Sequence, residues 1–532
     1  MSGYSKVDAG VSPPRVAIPR DYNAAVDFID RNVAEGRGAR IALHDDAGSY
    51  SYADLLDRVN RAGHALLALG LEPETRVAMA LLDTVDFPAV FWGAIKAGLV
   101  PIPLNTLLTS GDYAYMLRDS RARALVASDA LLDKLLPAAK DQPHLKHIVV
   151  SGAESHGHQR LADLMDKAAG TLAAAATTAD DVAFWLYSSG STGAPKGAMH
   201  LQSDLVQTAA LWGRGCLGIT ESDVSYSAAK LFFAYGLGNA MTLPLHMGGT
   251  AAITAARPTP DGVMAMLRKH RPTLFYGVPT LFGAILADPA NTRDKGSDRL
   301  RLCISAGEAL PEDVGKRWKQ RFGVDILDGI GSTEMLHIFL ANRPGEIRYG
   351  TTGKAVPGYD LRILDEKGDP AAPGEIGELV VNGPSSAIGY WNQRGKSTHT
   401  FRGPWTYTGD KYRVDAEGFY HYCGRSDDMM KVSGNWVSPF EVEATLIAHP
   451  QVLEAAVVGQ DDDQGLLKPK AFVVLKPEAA RADRDTLTGE LQNFVKSRLA
   501  PYKYPRWIEY VDALPKTATG KIQRFKLRQI GR

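Results

Sequence analysis

The sequence predicts a multi-lobed α/β protein followed by a small α+β domain. Helix-like and strand-like patterns alternate through most of the chain, and from about residue 351 they give way to short strands separated by glycine and proline. Alternation is typical of layered folds with largely parallel sheets, and the later pattern is typical of an antiparallel sheet or small barrel. We therefore expect two α/β sub-lobes and a small β-barrel-like lobe, with the α+β domain at the C-terminal end.

The individual elements follow from hydrophobic periodicity. Apolar residues recur at helical spacing over 51–69, 87–97, 261–269 and 487–499. Compact apolar runs predict strands at 76–82, 124–128, 182–187, 273–276, 302–305, 453–458, 470–475 and 507–511. A charged, glycine-bearing stretch follows Gly424, so we place a domain boundary there, between residues 1–426 and 427–532.

Composition excludes several classes of protein. Among 532 residues, 60 basic and 60 acidic side chains cancel, which argues against a nucleic-acid partner. No apolar run is long enough to span a bilayer, so no membrane association is expected. Three widely spaced cysteines suit a reducing compartment, and the polar N-terminal stretch lacks the apolar core of a signal peptide. We expect a cytoplasmic protein with a loose N-terminal arm.

The stretch YSSGSTGAPKG, residues 187–197, follows a predicted strand. Its glycines permit backbone conformations closed to other residues, and successive amides, hydroxyls and one lysine suit the binding of phosphate oxygens. The common G-x-x-x-x-G-K-[ST] loop is absent. Taken alone, the stretch fits a phosphate loop and a flexible glycine-serine turn about equally well.

Four further stretches favour the phosphate loop. DGIGSTE at 328–334 places a carboxylate beside hydroxyls, an arrangement suited to Mg²⁺ bound by nucleotide phosphates. YTGD at 407–410 ends in an acid that could accept from ribose hydroxyls. GRSDD at 424–428 lies at the predicted boundary, and PKTATGK at 515–521 adds a second glycine-flanked lysine. Each stretch alone is a weak signal.

In this order and spacing, the five stretches resemble the adenylate-forming superfamily of acyl-CoA synthetases, peptide-synthetase adenylation domains and luciferases. The resemblance extends from about Ile41 to Lys526. It implies that ATP and a carboxylic acid form an acyl-adenylate and pyrophosphate, that a thiol such as coenzyme A then displaces AMP, and that Mg²⁺ accompanies ATP. It also implies that the C-terminal domain is mobile and rotates about Asp427 between the two steps.

The resemblance assigns roles residue by residue. ATP or AMP would contact Ser188, Ser189, Ser191, Thr192, Lys196, Gly307, Glu308, Asp328, Gly329, Asp410, Arg425 and Lys521. Catalytic roles fall to Lys521, Glu334 and Thr333, with Glu334 also binding Mg²⁺, and coenzyme A would meet Ser433, Gly434, Lys503 and Arg506. A solvated basic face is an equally good interpretation of Lys503 and Arg506. Ile330 stands where the superfamily usually has an aromatic residue against adenine, so an aliphatic contact is expected.

The acid is suggested by KLFFAYGLGN and DGIGSTEMLHIF, which look like the benzoate-CoA ligase branch. The resemblance places Ala234, Tyr235, Gly236, Ala306, Gly329, Ile330, Gly331 and His337 around a flat ring. The stretch AAKLFFAYGLGN, residues 228–239, offers no carboxylate for an ammonium group, which disfavours amino acids. A merely apolar pocket for another small aryl acid or a short aliphatic acid stays open. We expect His337 to be a packing or hydrogen-bonding residue and Lys230 a surface lysine.

Other classes are less favoured. There is no G-x-S-x-G elbow or H-E-x-x-H pair, so a hydrolase lacks support. A luciferase-like oxygenase would share the adenylation motifs, and a non-catalytic nucleotide-binding protein would share the fold. The lysines at 196 and 521 and Glu334 argue against the non-catalytic alternative. The sequence leaves monomer and homodimer open.

Overall fold

A computed structural model describes residues 3–188, 194–432, 435–479, 483–516 and 522–530. Six of the expected site residues lie outside these ranges: Ser189, Ser191, Thr192, Ser433, Gly434 and Lys521. The expected alternation of helices and strands is present, and so is the change to antiparallel strands after residue 351.

Strands occur from one end of the described chain to the other. In chain order they are β1 Lys6–Asp8, β2 Arg15–Ala17, β3 Ile41–His44, β4 Ser49–Ser51, β5 Arg76–Ala80, β6 Val100–Pro103, β7 Ala124–Ser128, β8 His147–Ser151, β9 Gln159–Arg160, β10 Val182–Ser188, β11 Lys196–Leu201, β12 Val224–Ser227, β13 Thr250–Ala252, β14 Leu274–Gly277, β15 Leu302–Ser305, β16 Ile326–Gly331, β17 Ile338–Ala341, β18 Lys354–Ala355, β19 Asp360–Leu364, β20 Gly377–Asn382, β21 Gly389–Tyr390, β22 Phe401–Arg402, β23 Trp405–Val414, β24 Tyr420–Arg425, β25 Met430–Val432, β26 Asn435–Val437, β27 Val452–Asp461, β28 Leu467–Leu475 and β29 Trp507–Tyr510.

The α-helices alternate with these strands through most of the chain. In the same order they are α1 Arg31–Ala34, α2 Tyr52–Ala68, α3 Asp86–Lys96, α4 Ser110–Ser120, α5 Leu132–Ala139, α6 Leu161–Asp166, α7 Gln202–Thr208, α8 Ala234–Leu237, α9 Leu243–Met247, α10 Pro260–His270, α11 Pro279–Ala287, α12 Glu312–Phe322, α13 Arg394–Thr400, α14 Pro439–Ile447, α15 Arg484–Lys496 and α16 Arg524–Ile530. π-Helical segments at Val26–Asp30, Ala209–Arg214 and Gly238–Thr242 adjoin α1, α7 and α8.

Helix α2 illustrates how the sequence sets these elements. Ser51 and Asp54 form a reciprocal capping box at its start, which satisfies backbone amides that have no partner within the helix. Its apolar face is buried, and it meets α3 where Gly63 lies against Gly93. A Cβ on Gly93 would come within 2.7 Å of the Val59 carbonyl oxygen, so this close packing requires glycine.

Two sheets form the α/β body of the described chain. One has the order β6-β5-β7-β8-β9 and is parallel throughout, and the other has the order β18-β17-β16-β15-β14-β12-β13-β3-β4 with a parallel centre from β16 to β3. In parallel α/β sheets, ligands bind beyond the carboxyl ends of the strands. The ends of β12, β14, β15 and β16 therefore lie where a site is expected.

Smaller sheets complete the fold, and they are antiparallel except for the parallel pair β28 and β29. Strand β11 pairs with β10 and β21, and the lobe after residue 351 joins β19, β20, β23 and β22, with β24 against β23. Residues from Met430 onward contribute a separate hydrophobic core centred on β27, β28, α14 and α15. No helix in the described ranges is long and apolar enough to cross a membrane.

The expectation of a loose N-terminal arm is wrong. Strand β1 pairs with β2, and Ser5 is buried and donates to Asp27. The Tyr22 hydroxyl donates to the same carboxylate oxygen at 2.8 Å, so polar contacts hold the arm against the body. The polar, proline-punctuated sequence misled the interpretation because this anchoring depends on a partner further along the chain, Asp27.

Candidate active site

A charged cluster, defined as Ser188, Lys196, Glu334, Tyr390, Asp410 and Arg425, forms where β10, β11, β21, β23 and β24 meet the 332–336 turn. Ser188 and Lys196 are register partners at the ends of β10 and β11, so the intervening loop starts and finishes at adjacent points. Burial lowers the pKa of Lys196, and the carboxylate of Glu334 acts in the opposite direction. The loop lysine and the acid of the GSTE turn therefore lie close enough to interact.

Glu334 is held by two hydroxyls on the same carboxylate oxygen. The Tyr390 hydroxyl donates to Oε1 at 2.7 Å, and the Ser188 hydroxyl donates to Oε1 at 3.1 Å. The Lys196 ammonium lies 4.3 Å from the centroid of the Tyr390 ring and donates to its hydroxyl at 3.2 Å. The result is a chain of polar contacts from Lys196 through Tyr390 to Glu334.

Asp410 and Arg425 form the second part of the charged cluster. The Arg425 guanidinium donates to Oδ1 of Asp410 at 3.0 Å and to the Thr408 carbonyl at 2.9 Å. The Asp410 carboxylate raises the pKa of Arg425, and Glu334 adds to the effect. Gly409 has φ +71° and faces the guanidinium, where a Cβ would come within 2.9 Å of Nη2. The turn thus requires glycine to bring these two groups together.

The side chain of His200 holds the 332–336 turn in place through a hydrogen bond. Its Nδ1 pairs with Asp204 at 3.0 Å and its Nε2 contacts the Thr333 carbonyl oxygen at 2.8 Å. A carbonyl only accepts, so Nε2 carries a proton. His200 is fully buried and stacks on Phe184. It therefore holds the backbone of Thr333 in place.

Asp328 lies in the buried part of β16. It is 5% exposed, and its Oδ1 has no hydrogen-bond partner among the described residues. Burial raises the pKa of this carboxyl well above its usual range. Its register partner Ser305 also carries a buried hydroxyl without a partner in the described part of the chain. Such orphaned groups at strand ends are what a hydrogen-bonding ligand would satisfy.

The next two expected nucleotide residues follow β15. Gly307 has φ +94°, a conformation that favours glycine, and Glu308 comes directly after it. Ile330 is half-buried on β16 opposite Leu340.

A neutral cluster, defined as Tyr235, Asn239, Gly331 and His337, lies beside these strand ends. The Tyr235 hydroxyl donates to the Ile304 carbonyl at 3.1 Å, and the Tyr235 and His337 ring centroids are 6.0 Å apart. Nε2 of His337 pairs with Oδ1 of Asn239 at 3.1 Å. Burial lowers the pKa of His337 to about 4, so the ring is neutral at neutral pH. His337 is thus a buried hydrogen-bonding residue, as expected.

The glycines around the neutral cluster are required by backbone packing. A Cβ on Gly331 would come within 2.4 Å of the His337 carbonyl oxygen, and one on Gly236 within 2.0 Å of the Lys230 carbonyl oxygen. Gly238 lies against the imidazole of His337, where an added Cβ would come within 2.1 Å of Cδ2. The other residues expected to line the acid pocket are Ala234 in α8, Ala306 directly after β15 and Gly329 in β16.

The expectation that Lys230 is a surface lysine is wrong. Its side chain is 15% exposed, and its ammonium donates to the carbonyls of Thr254 and Ala256 and lies 4.0 Å from Asp83. The ammonium therefore clamps the 254–256 backbone. A cavity of about 240 Å³ borders Lys230 and Ala228, and its lining includes none of Ala234, Tyr235 and His337.

The expected residues of the C-terminal part are only partly described. Lys503 pairs with Glu441 at 2.5 Å, and the Arg506 guanidinium lies 3.7 Å from the centroid of the Tyr504 ring. The Asp427 carbonyl accepts from Arg528 of α16 at 3.2 Å. These contacts bring neither Lys503 nor Arg506 into the charged cluster.

Sequence reasoning missed three side chains that belong to the two clusters or support them: Tyr390, His200 and Asn239. Tyr390 lies in AIGYWN, where nothing in the spacing links it to Glu334. His200 lies only four residues after Lys196, the lysine of the 187–197 stretch, so this short separation was a usable signal. Asn239 lies one helical turn beyond Tyr235, which could have placed it on the same face.

Comparison with known proteins identifies the family. Residues 30–391 match the AMP-binding enzyme family and residues 441–521 match the AMP-binding enzyme C-terminal domain. The chain belongs to the AMP-binding enzyme family.

Three relatives are particularly similar. The benzoate–CoA ligase of Thauera aromatica is 58% identical over 99% of this chain and 100% of its own length. A crystal structure of a benzoate CoA ligase from Burkholderia xenovorans LB400 is 51% identical, with a TM-score of 0.89 over 95% of this chain and 100% of the other. The anthranilate CoA ligase AuaEII, in complex with anthranoyl-AMP, is 41% identical with a TM-score of 0.92 over 97% and 98%. The expected fold class is confirmed.

Proposed function

We propose that this protein joins benzoate to coenzyme A, with conversion of ATP to AMP and pyrophosphate. The observation that carries the proposal is the 58% identity, over 99% of the chain, with a benzoate–CoA ligase. The charged and neutral clusters support it because they provide one end suited to nucleotide phosphates and another suited to an uncharged ring. Ligation of another small aryl acid is the alternative, favoured by the likeness to an anthranilate CoA ligase.

In the first step, a benzoate oxygen attacks the α-phosphorus of ATP. A P–O bond to the acyl group forms, the bond to the β-phosphate oxygen breaks, and pyrophosphate leaves. Two anions must meet, so the site must first neutralise charge. We assign this to Lys196, Arg425 and Lys521, with the loop residues Ser188, Ser189, Ser191 and Thr192 on the phosphates.

We assign the remaining nucleotide contacts to the YTGD turn and to the ends of β15 and β16. Asp410 is fixed by Arg425 and would accept from the ribose hydroxyls. Asp328, with its orphaned Oδ1, would meet the polar edge of adenine, together with Gly307, Glu308 and Gly329. Ile330 would cover the base.

Mg²⁺ fits this site as a partner of ATP. The described residues contain no group of three or more metal-ligating side chains, so the protein would supply Glu334 and Thr333 and the phosphates the other ligands. The ion, when bound, would screen phosphate charge. Glu334 is the described carboxylate that directly contacts both Ser188 and Tyr390, which fixes it beside the loop.

The acid would lie among Ala234, Tyr235, Gly236, Ala306, Gly329, Ile330, Gly331 and His337. These residues present rings, methyl groups and bare backbone, and a neutral His337 adds no charge. An aryl ring would therefore lose little by leaving water, and only its carboxylate would face the cations.

In the second step, the thiol sulfur of coenzyme A attacks the acyl carbon. A C–S bond forms, the C–O bond to AMP breaks, and the thiol proton is lost. We infer that residues 427–532 form a domain that turns about Asp427 between the steps, so that Ser433 and Gly434 line the thiol channel and Lys503 and Arg506 face CoA phosphates. The pair of Lys503 with Glu441 would open for that role. Cytoplasmic location and the oligomeric state stay predictions.

The test is ATP-dependent pyrophosphate release across benzoate, hydroxybenzoates, aminobenzoates, cinnamates and short fatty acids, with and without CoA. We expect benzoate to give the highest kcat/KM and CoA to be required for multiple turnovers. A highest kcat/KM with a fatty acid would contradict benzoate as the substrate but would not contradict the reaction class. Oxygen consumption with light emission would indicate the luciferase-like class, and no pyrophosphate with any acid would indicate a non-catalytic protein.

A further inference from the structure

Tyr390 is rigidly held beside the phosphate loop. Its strand, β21, pairs with β11, with Tyr390 opposite Ala198, two residues from Lys196. Its backbone amide donates to the Ser397 hydroxyl at 2.9 Å, and its ring packs against Phe401 with the centroids 5.3 Å apart. The residue is 4% exposed. Its hydroxyl therefore has little freedom to move.

The Tyr390 hydroxyl can donate its proton to only one of the two charged residues that it contacts, Lys196 and Glu334. The Lys196 ammonium has no lone pair, so at 3.2 Å the phenol oxygen must accept from it. The single phenol proton is then donated to Oε1 of Glu334 at 2.7 Å. A neutral group thereby relays hydrogen bonding between a cation and an anion.

The contacts to Glu334 are asymmetric. Tyr390 and Ser188 both donate to Oε1, so they occupy one carboxylate oxygen and orient the other, Oε2, away from them. The segment before Tyr390 also holds the Glu334 backbone, since the Ala387 amide donates to its carbonyl at 2.8 Å. The 387–390 segment thus fixes Glu334 through both main chain and side chain.

We propose that Tyr390 is a positioning residue for adenylation, which fixes Glu334 so that Oε2 is presented to the cation that accompanies ATP. It also holds Lys196 in place until phosphate oxygens replace the phenol. This inference rests on the proposed function, which assigns Glu334 and Lys196 to ATP and its cation. Tyr390 contacts neither substrate nor reacting atoms in this role, because it acts through its two charged neighbours.

The variant that isolates the hydroxyl is Tyr390→Phe, which keeps the ring and its packing on Phe401. A matched control is Tyr349→Phe, because the Tyr349 hydroxyl also donates to a carboxylate, Oδ1 of Asp325 at 2.9 Å, outside the site. Ser188→Ala removes the other donor to Oε1 and serves as a second variant if Tyr390→Phe folds poorly.

Two measurements test the inference. The first is the Mg²⁺ dependence of benzoate-dependent ATP–pyrophosphate exchange, where Tyr390→Phe is expected to raise the half-saturating Mg²⁺ concentration about 5-fold or more. Conversion of supplied benzoyl-AMP and CoA should stay within about 2-fold of the parent, because that reaction uses no ATP. The second is calorimetric ATP binding with and without Mg²⁺, in which the gain in affinity from Mg²⁺ should shrink in Tyr390→Phe and persist in Tyr349→Phe.

Unchanged Mg²⁺ half-saturation and unchanged calorimetric gain in Tyr390→Phe, or in Ser188→Ala where Tyr390→Phe folds poorly, would overturn the inference. Glu334→Gln separates this failure from failure of the proposed function. If Glu334→Gln shifts the Mg²⁺ dependence and Tyr390→Phe does not, the positioning role is wrong. If Glu334→Gln also leaves it unchanged, the assignment of Glu334 to the cation is wrong, and the inference falls with it.

Discussion

At the charged cluster, charged side chains are held in place by hydrogen bonds, whereas at the neutral cluster the walls are uncharged rings and bare backbone. Arg425 is bound to Asp410, and Glu334 to Tyr390 and Ser188. In contrast, His337 is neutral. Gly331 has no room for a side chain, because the backbone of His337 lies where a Cβ would be.

The difference teaches which part of the function a motif can carry. Binding of phosphate and ribose needs particular polar atoms, so it leaves recognisable residue types at fixed spacing. Selection of a ring needs only shape and the absence of charge, which many residues provide. We therefore expect changes at the charged cluster to impair adenylation with every acid, and changes at the neutral cluster to alter the choice of acid.

The largest effect is expected for Lys521→Ala. The resemblance directs this lysine at oxygens that gain charge during adenylation, and loss of such a donor commonly costs about 3 kcal/mol or more, a rate loss of about 100-fold or more. Benzoyl-CoA formation from supplied benzoyl-AMP should be spared. Gly434→Leu should have the reverse effect by blocking the thiol channel. Equal loss of both steps in Lys521→Ala would contradict the two-conformation account.

The charged cluster itself is tested by Asp410→Ala. This change removes the carboxylate to which Arg425 donates and the acceptor for ribose, so we expect the KM for ATP to rise about 10-fold or more. The KM for benzoate should change little. Asp360→Asn, at an exposed position of the same lobe, is the control. A rise in the benzoate KM as large as that for ATP would break the proposed separation of the two clusters.

The neutral cluster is tested by Gly238→Ala. The added methyl would lie 2.1 Å from Cδ2 of His337, so the imidazole must shift and we expect the benzoate KM to rise about 10-fold with the ATP KM little changed. Gly283→Ala, where nothing lies within 4 Å of the added methyl, is the matched control. Unaltered benzoate kinetics in Gly238→Ala would remove His337 from the acid site.

The smallest effect concerns pH and stability. The pKa of His337 is about 4 in the folded protein, whereas the ordinary value for histidine is 6.5. Between these two pH values, the unfolded chain therefore binds more protons than the folded chain. Stability should therefore fall as pH drops through this interval, by about 2 kcal/mol from this group at about pH 5. Urea unfolding of His337→Leu should show less acid destabilisation than the parent.

His246→Leu is the matched control for that measurement, because burial also lowers the pKa of His246 to about 4 and this residue lies outside both clusters. It should lose a similar share of the pH dependence while keeping the benzoate KM. The same acid destabilisation in His337→Leu as in the parent would mean that His337 is not buried neutral.

Much of the fold was predictable because its helices and strands have clear hydrophobic periods. The predicted strand 302–305 matches Leu302–Ser305, and the predicted helix 51–69 differs from Tyr52–Ala68 only at its ends. Strand β21 was not predicted, since two residues have no period and their pairing with β11 is a long-range contact.

The site was predictable where local sequence sets the geometry. Asp410 lies one residue beyond the glycine that lets Arg425 approach, so the local sequence of the YTGD turn already contains the feature that brings the two residues together. Tyr390 was missed and Lys230 was misjudged for the opposite reason. The hydroxyl of Tyr390 and the ammonium of Lys230 find their partners in other elements, and no local pattern records such contacts.

The most direct test of the proposed reaction is to identify by mass spectrometry the products formed from benzoate, ATP and Mg²⁺, first without and then with CoA. We predict enzyme-bound benzoyl-AMP and pyrophosphate before CoA is added, and benzoyl-CoA and AMP in equal amounts afterwards. Formation of ADP, or no benzoate-dependent product, would contradict this reaction.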